Sequence, residues 1–215
     1  MQGKRYLIPA GRHRVEQEIE RSRFITTVGA APTVEAARAF IADVRSEFAD
    51  ATHNCWAYVV GPPGSTGEVG MSDDGEPHGT AGRPMLSVLL HGGVGDIAVV
   101  VTRYYGGTKL GKGGLVRAYT GAVQQALESL PTREYVRLTR LRITLDYSAI
   151  TAFRRLASEH EARIVDEAYE AVAAFEVDVP IERAVEFRAA LLDLTQGAAR
   201  IEAHGPDEAP GGPAR

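Results

Sequence analysis

The sequence predicts an α+β fold in two domains. Three observations lead to it. The chain has 215 residues, enough for one large or two small domains. Its first part mixes β-branched runs with amphipathic helical stretches around a long segment rich in Gly and Pro. Its second part reads strand, helix, strand, strand, helix, strand, the ferredoxin-like order. The boundary lies near 131 to 137, which gives domains at 1–133 and 134–204 and a disordered tail at 205–215.

"RFITTVGAA" is the first strand candidate. Pro32 and Thr33 then open a helix whose Val34, Ala37, Ile41, Val44 and Phe48 step by three and four, and Thr33 supplies a cap. "HNCWAYVVG" is a strand by its aromatic and β-branched content. Residues 61–79 read as a long loop, and long loops inside compact domains are often functional. "PMLSVLLHGG" is a short helix ended by its glycines, and "DIAVVVTRYY" is the clearest buried strand. After a glycine loop, a helix runs from about Leu115 to Leu130. Leu115, Tyr119, Ala122 and Ala126 share its inner face, and Pro131 stops it.

In the second domain "RLRITLDY" alternates, with Leu141, Ile143 and Leu145 on one side. Ser148 is positioned to cap a helix over 149–160. "ARIVDEAY" and "AAFEVDVP" are strands joined tightly. Pro180 opens a helix lined by Ala184, Phe187, Leu191 and Leu194, and Gly197 ends it. "ARIEAH" is the last strand.

Composition excludes several classes. Hydrophobic residues make up 44% and charged residues 24%, ordinary for a globular protein, and the formal charge of −4 does not announce a nucleic-acid binder. One cysteine, Cys55, rules out an intramolecular disulfide framework and a multi-cysteine zinc site. No stretch has the roughly 18 apolar residues of a membrane helix, and no apolar run follows the N-terminal charges as in a secretory signal. The expectation is a cytoplasmic protein with no membrane partner.

"YYGGTKLGKGG", 104 to 114, nearly matches a phosphate-binding P-loop. Gly106, Gly111 and Lys112 fit G-x-x-x-x-G-K, but Gly113 stands where magnesium needs a hydroxyl. Anion binding by backbone amides at a helix start remains open. From Ile97 to Leu127 there is no acid, yet Arg103, Lys109, Lys112 and Arg117 all fall there. Phosphates of RNA or DNA are the natural counterpart. Gly106, Gly107, Gly113 and Gly114 offer amides, and Tyr104 and Tyr105 offer stacking faces. The alternative is a solvated loop whose glycines serve a turn and close packing.

"SDDGEPHGTAGRP" carries Asp73, Asp74, Glu76 and His78. Paired carboxylates serve acid–base chemistry or a hard metal, or they brace a turn by pairing with Arg83 or Arg103. His53 and Cys55 point the same way on a strand, as a nucleophilic dyad or as a buried thiol beside a satisfied histidine. His13, His91, His160 and His204 show no metal-ligand spacing.

"SDDGEPHGTAGRPML" followed by "DIAVVVTRYYGGTKLGKGGLVRAY" closely resembles the signature of the YigZ/IMPACT family. The match is strong over 53–122, and the second half resembles the second domain of its bacterial members. The resemblance implies an N-terminal domain shaped like the second domain of a ribosomal small-subunit protein, followed by a ferredoxin-like domain. Together these resemble the last two domains of the translocating elongation factor. Eukaryotic relatives regulate translation initiation through the amino-acid-starvation kinase pathway by binding a protein partner. The resemblance supplies no catalytic residues, metal or cofactor. Relatives carry a small residue at the position of Lys112, so the P-loop likeness is coincidental. The family motif is the turn from Arg103 to Gly107 and the helix start from Gly113 to Tyr119.

These readings converge on a non-enzymatic protein that binds RNA or the ribosome and modulates translation. The alternatives are a small hydrolase or metal-dependent enzyme, with His53, Asp73, Asp74 and Glu76 as its site and Arg83 on an anionic substrate, and a protein-interaction module.

Overall fold

A computed structural model describes residues 5–203. The tail, where disorder is expected, and His204 lie outside the described residues. The chain divides into two compact units between Glu134 and Tyr135. The first carries β1 (Arg5–Pro9), β2 (His13–Ile19), β3 (Ser22–Ala30), α1 (Val34–Glu47), β4 (His53–Val60), β5 (Glu68–Ser72), α2 (Gly82–His91), β6 (Ile97–Tyr104) and α3 (Gly111–Glu128). β7 (Thr132–Val136) spans the division. The second carries β8 (Leu138–Leu145), α4 (Ile150–Glu159), β9 (Arg163–Tyr169), β10 (Ala173–Pro180), α5 (Ala184–Leu194) and β11 (Arg200–Ala203).

The first unit is built on a five-stranded antiparallel sheet in the order β2-β3-β6-β4-β5. β6 lies at its centre and is covered on both faces. Ile97, Val99 and Val101 join the core under α2 and α3, while Ala98 and Val100 pack with Ala37, Ile41 and Val44 of α1. An unbroken apolar run is what a strand buried on both sides requires. Thr33 caps α1 as the sequence predicts, its Oγ1 accepting from the Ala36 amide at 3.1 Å.

The second unit has the strand order β11-β8-β10-β9, with α4 and α5 on one face. That is the ferredoxin-like topology. Leu141, Ile143 and Leu145 meet Phe153, Phe175, Phe187 and Leu191 in its core. By register the opposite face carries Arg140, Arg142, Glu176 and Asp178. Asp178 accepts from Arg140 at 2.8 Å and from Arg163 at 3.2 Å, and these arginines hold its carboxyl below the usual carboxylate range against its burial. No aromatic side chain lies on that face among the described residues.

Six points of the sequence reading need correction. β2 is a strand the pattern search passed over, because its Val15 and Ile19 alternate with charges on an edge. β5 lies inside what reads as a loop, since a five-residue edge strand carrying Gly70 gives little β signal. α3 begins at Gly111, not Leu115, so Lys112, Gly113 and Gly114 belong to its first turn. Ser148 sits inside a 3-10 turn over Tyr147–Ala149, and Ala149 is the unassisted cap of α4. Pro180 ends β10 opposite Leu138 instead of opening α5, and Leu194 is 37% exposed.

The β2–β3 connection has a local cost. Ile19 pairs with Ser22, which leaves a two-residue turn at Glu20 and Arg21, with φ of 50° and 64°. Such a turn favours Asn-Gly because both residues are left-handed. Each non-glycine residue there costs roughly 1–2 kcal/mol.

Candidate nucleic-acid interface

The acidic loop is a brace. Ala81, the cap position of α2, has no side chain with which to cap. Asp73 does it from upstream, its Oδ1 accepting from the amides of Ala81 (3.0 Å) and Gly82 (2.9 Å) and its Oδ2 from Gly79 (2.8 Å). Burial pushes the Asp73 carboxyl up, but these three donors outweigh it and hold it below the ordinary range. Asp74 Oδ2 accepts from the Asn54 amide at 2.7 Å and its Oδ1 from Arg45 at 3.0 Å.

Asp73→Ala is expected to destabilise the protein by about 2 kcal/mol at neutral pH, as loss of a helix cap does. A lowered carboxyl contributes fully above its unfolded pKa of about 3.9, and the contribution is lost as pH falls through the folded value. Urea titrations at pH 7 and pH 3 should therefore show the gap between wild type and variant narrowing at the lower pH. A gap that widens there contradicts the capping role.

Glu76 and Arg103 form the buried centre of the brace. Their side chains are 3% and 5% exposed and meet at 2.7 Å. The same Glu76 oxygen accepts from Tyr119 Oη at 2.8 Å, and Arg103 also donates to Ser22 Oγ at 3.1 Å. The guanidinium lies over the rings of both Phe24 (5.4 Å) and Tyr105 (5.5 Å). Loop, central strand, hairpin and α3 are joined here. His53 Nδ1 donates to the Asp74 carbonyl at 2.8 Å, and its Nε2 is 4.0 Å from Glu76. Cys55 is fully buried, which pushes its thiol up to about 12. It stays protonated at neutral pH, contrary to a nucleophilic dyad. Arg83 is exposed and takes no part in the brace. Among the described residues no group of His, Cys, Asp or Glu could hold a metal ion.

The glycine loop sits on this brace, and the structure sorts its candidate residues. Arg103 is buried and paired, so it is not free for a phosphate. Tyr104 is not a free stacking face, because its hydroxyl donates to Asp50 at 2.8 Å and Arg23 lies over its ring. The Gly106 amide is held by Ser22 Oγ at 3.3 Å. Gly114 drops out as an amide donor, since the fourth residue of a helix bonds within it. Lys109, Lys112 and Arg117 are exposed, and none has an ion pair among the described residues. They surround the start of α3, which has no side-chain cap and no acid in its first turn. The amides of Gly111, Lys112 and Gly113 have no partner inside the helix. Gly107, at φ 88°, opens onto free space beside them.

The sequence reading missed Arg21. The β2–β3 turn holds it against the loop so closely that a Cβ on Gly106 would lie 1.8 Å from the Arg21 carbonyl oxygen. Its side chain is exposed with no partner among the described residues. Only the tertiary docking of the hairpin brings it to the site.

The Impact N-terminal domain pattern matches residues 20–127, and a domain of unknown function (DUF1949) matches 143–198. The chain is 44% identical over 196 residues to IMPACT family member YigZ of Escherichia coli, covering 91% of this chain and 96% of that one. The chain belongs to the IMPACT family. IMPACT family member YvyE of Bacillus subtilis is 35% identical over 90% of this chain and 87% of its own. A crystal structure of a hypothetical protein superposes with a TM-score of 0.68 at 42% identity, over 96% of this chain and 100% of that one.

The IMPACT domain match spans the strained turn, the brace and the basic surface. Its glycine turn has a steric reason. Because a Cβ at Gly106 meets backbone, no rotamer change relieves it. Gly106→Ala should cost about 1–3 kcal/mol and pull the hairpin from the loop, read as faster hydrogen exchange at residues 20–23. Unchanged stability and exchange contradict this packing. No helix among the described residues is long and apolar enough to cross a membrane.

Proposed function

We propose that this protein binds RNA, free or within the ribosome, and modulates translation by doing so. The supporting observation is the start of α3, an uncapped helix N-terminus flanked in the chain by Lys109, Lys112 and Arg117, with Arg21 packed against Gly106 of the preceding loop and none of the four ion-paired among the described residues. Phosphate answers both the dipole and the cations. A nucleotide hydrolase is disfavoured by Gly113 and by the antiparallel sheet around β6. The acidic-loop enzyme is disfavoured because Asp73, Asp74 and Glu76 are each committed to structural partners. A role as a protein-interaction module has its own support in the second unit. There Tyr147 and Tyr169 stack at 6.2 Å while 48% and 47% exposed, beside the 40% exposed Val172.

Binding of the purified full chain to ribosomes and to a mixed RNA pool tests the RNA reading. Association that weakens steeply with salt is expected. Absence of binding to both at low salt sinks it and shifts attention to the tyrosine pair.

A further inference from the structure

Two exposed side chains flank Gly106, and each keeps a surface that the fold does not use. Tyr105 is 46% exposed, and its amide is fixed by Thr52 Oγ1 at 3.0 Å. One face of its ring is backed by the Arg103 guanidinium, and no other described ring or cation lies against it. That leaves a held aromatic face turned to solvent. Arg21 stands on the other side, in a left-handed conformation that a glycine would hold without strain. Strain kept at an exposed, unpaired arginine beside a basic loop points to a contact outside the chain.

We infer that this surface takes single-stranded RNA in preference to duplex, with one unpaired base stacked on the outer face of Tyr105 and Arg21 on an adjoining phosphate. The inference rests on the phosphate-binding reading above. A duplex keeps its base faces stacked inside, and only a single strand offers one to a lone aromatic ring. Gly107 opens onto free space two residues further on, where a bulkier side chain would stand in the strand's path.

Fluorescence anisotropy with a labelled single-stranded RNA of about 12 nucleotides and a duplex of equal length tests it. Tyr105→Ala is expected to weaken single-strand binding by about 5- to 100-fold and leave duplex binding unchanged, while Tyr105→Phe retains both. Arg21→Gly is expected to weaken single-strand binding several-fold yet raise Tm by about 2–4 °C. A merely structural arginine would not move the two readouts in opposite directions. Equal affinity for both probes, with Tyr105→Ala indifferent, overturns the inference and leaves phosphate binding standing. An Arg21→Gly variant that keeps full affinity removes Arg21 from the site. Full affinity in a Lys109→Ala/Lys112→Ala/Arg117→Ala variant overturns the phosphate reading and this inference with it.

Discussion

Arg103→Ala should destabilise the first unit by about 3–5 kcal/mol, the range for removing one partner of a buried ion pair. The Glu76 carboxylate, 3% exposed in the intact brace, would keep only the Tyr119 hydroxyl, at 2.8 Å, within hydrogen-bonding distance. Denaturant unfolding checks this. A second variant separates the brace from its charges. Glu76→Leu combined with Arg103→Met should recover most of the lost stability, because a buried pair often exchanges for apolar side chains at little net cost. A loss below about 1 kcal/mol in the single variant would mean that water reaches the pair, contrary to its burial.

The second large effect is on binding. Replacing Lys109, Lys112 and Arg117 together with alanine should leave stability within about 0.5 kcal/mol of wild type, since all three are exposed and unpaired among the described residues. Affinity for single-stranded RNA should fall about a hundredfold near 0.1 M salt. The slope of log affinity against log salt should shrink by about 2, as expected for three lost phosphate contacts. A variant with an unchanged salt slope places the phosphates elsewhere.

Much of this was legible in the residues. The apolar run of β6 announced a doubly covered strand. The alternation of Leu141, Ile143 and Leu145 announced the ferredoxin-like sheet. The acid-free stretch from Ile97 to Leu127 announced the basic surface. What stayed hidden has physical causes. Glu20 and Arg21 make a tight turn without the Asn-Gly signal, so neither the hairpin nor the place of Arg21 could be read. The alternation of "HRVEQEI" was present but carried mostly by charged residues. Glycines at 111, 113 and 114 look like loop, though they form a helix start fixed by the packing of Leu115 and Tyr119. Arg103 read equally as a phosphate contact or as a partner for the acidic loop, and only its burial against Glu76, 27 positions away, decides for the second.

The most direct test of the basic surface is a backbone-amide NMR titration of the full chain with a short single-stranded RNA. The largest shifts are expected at Gly107 and at the amides of Gly111, Lys112 and Gly113, with smaller ones at Arg21 and Tyr105. Shifts confined to the second unit, or none at these positions while RNA binds, would contradict this expectation.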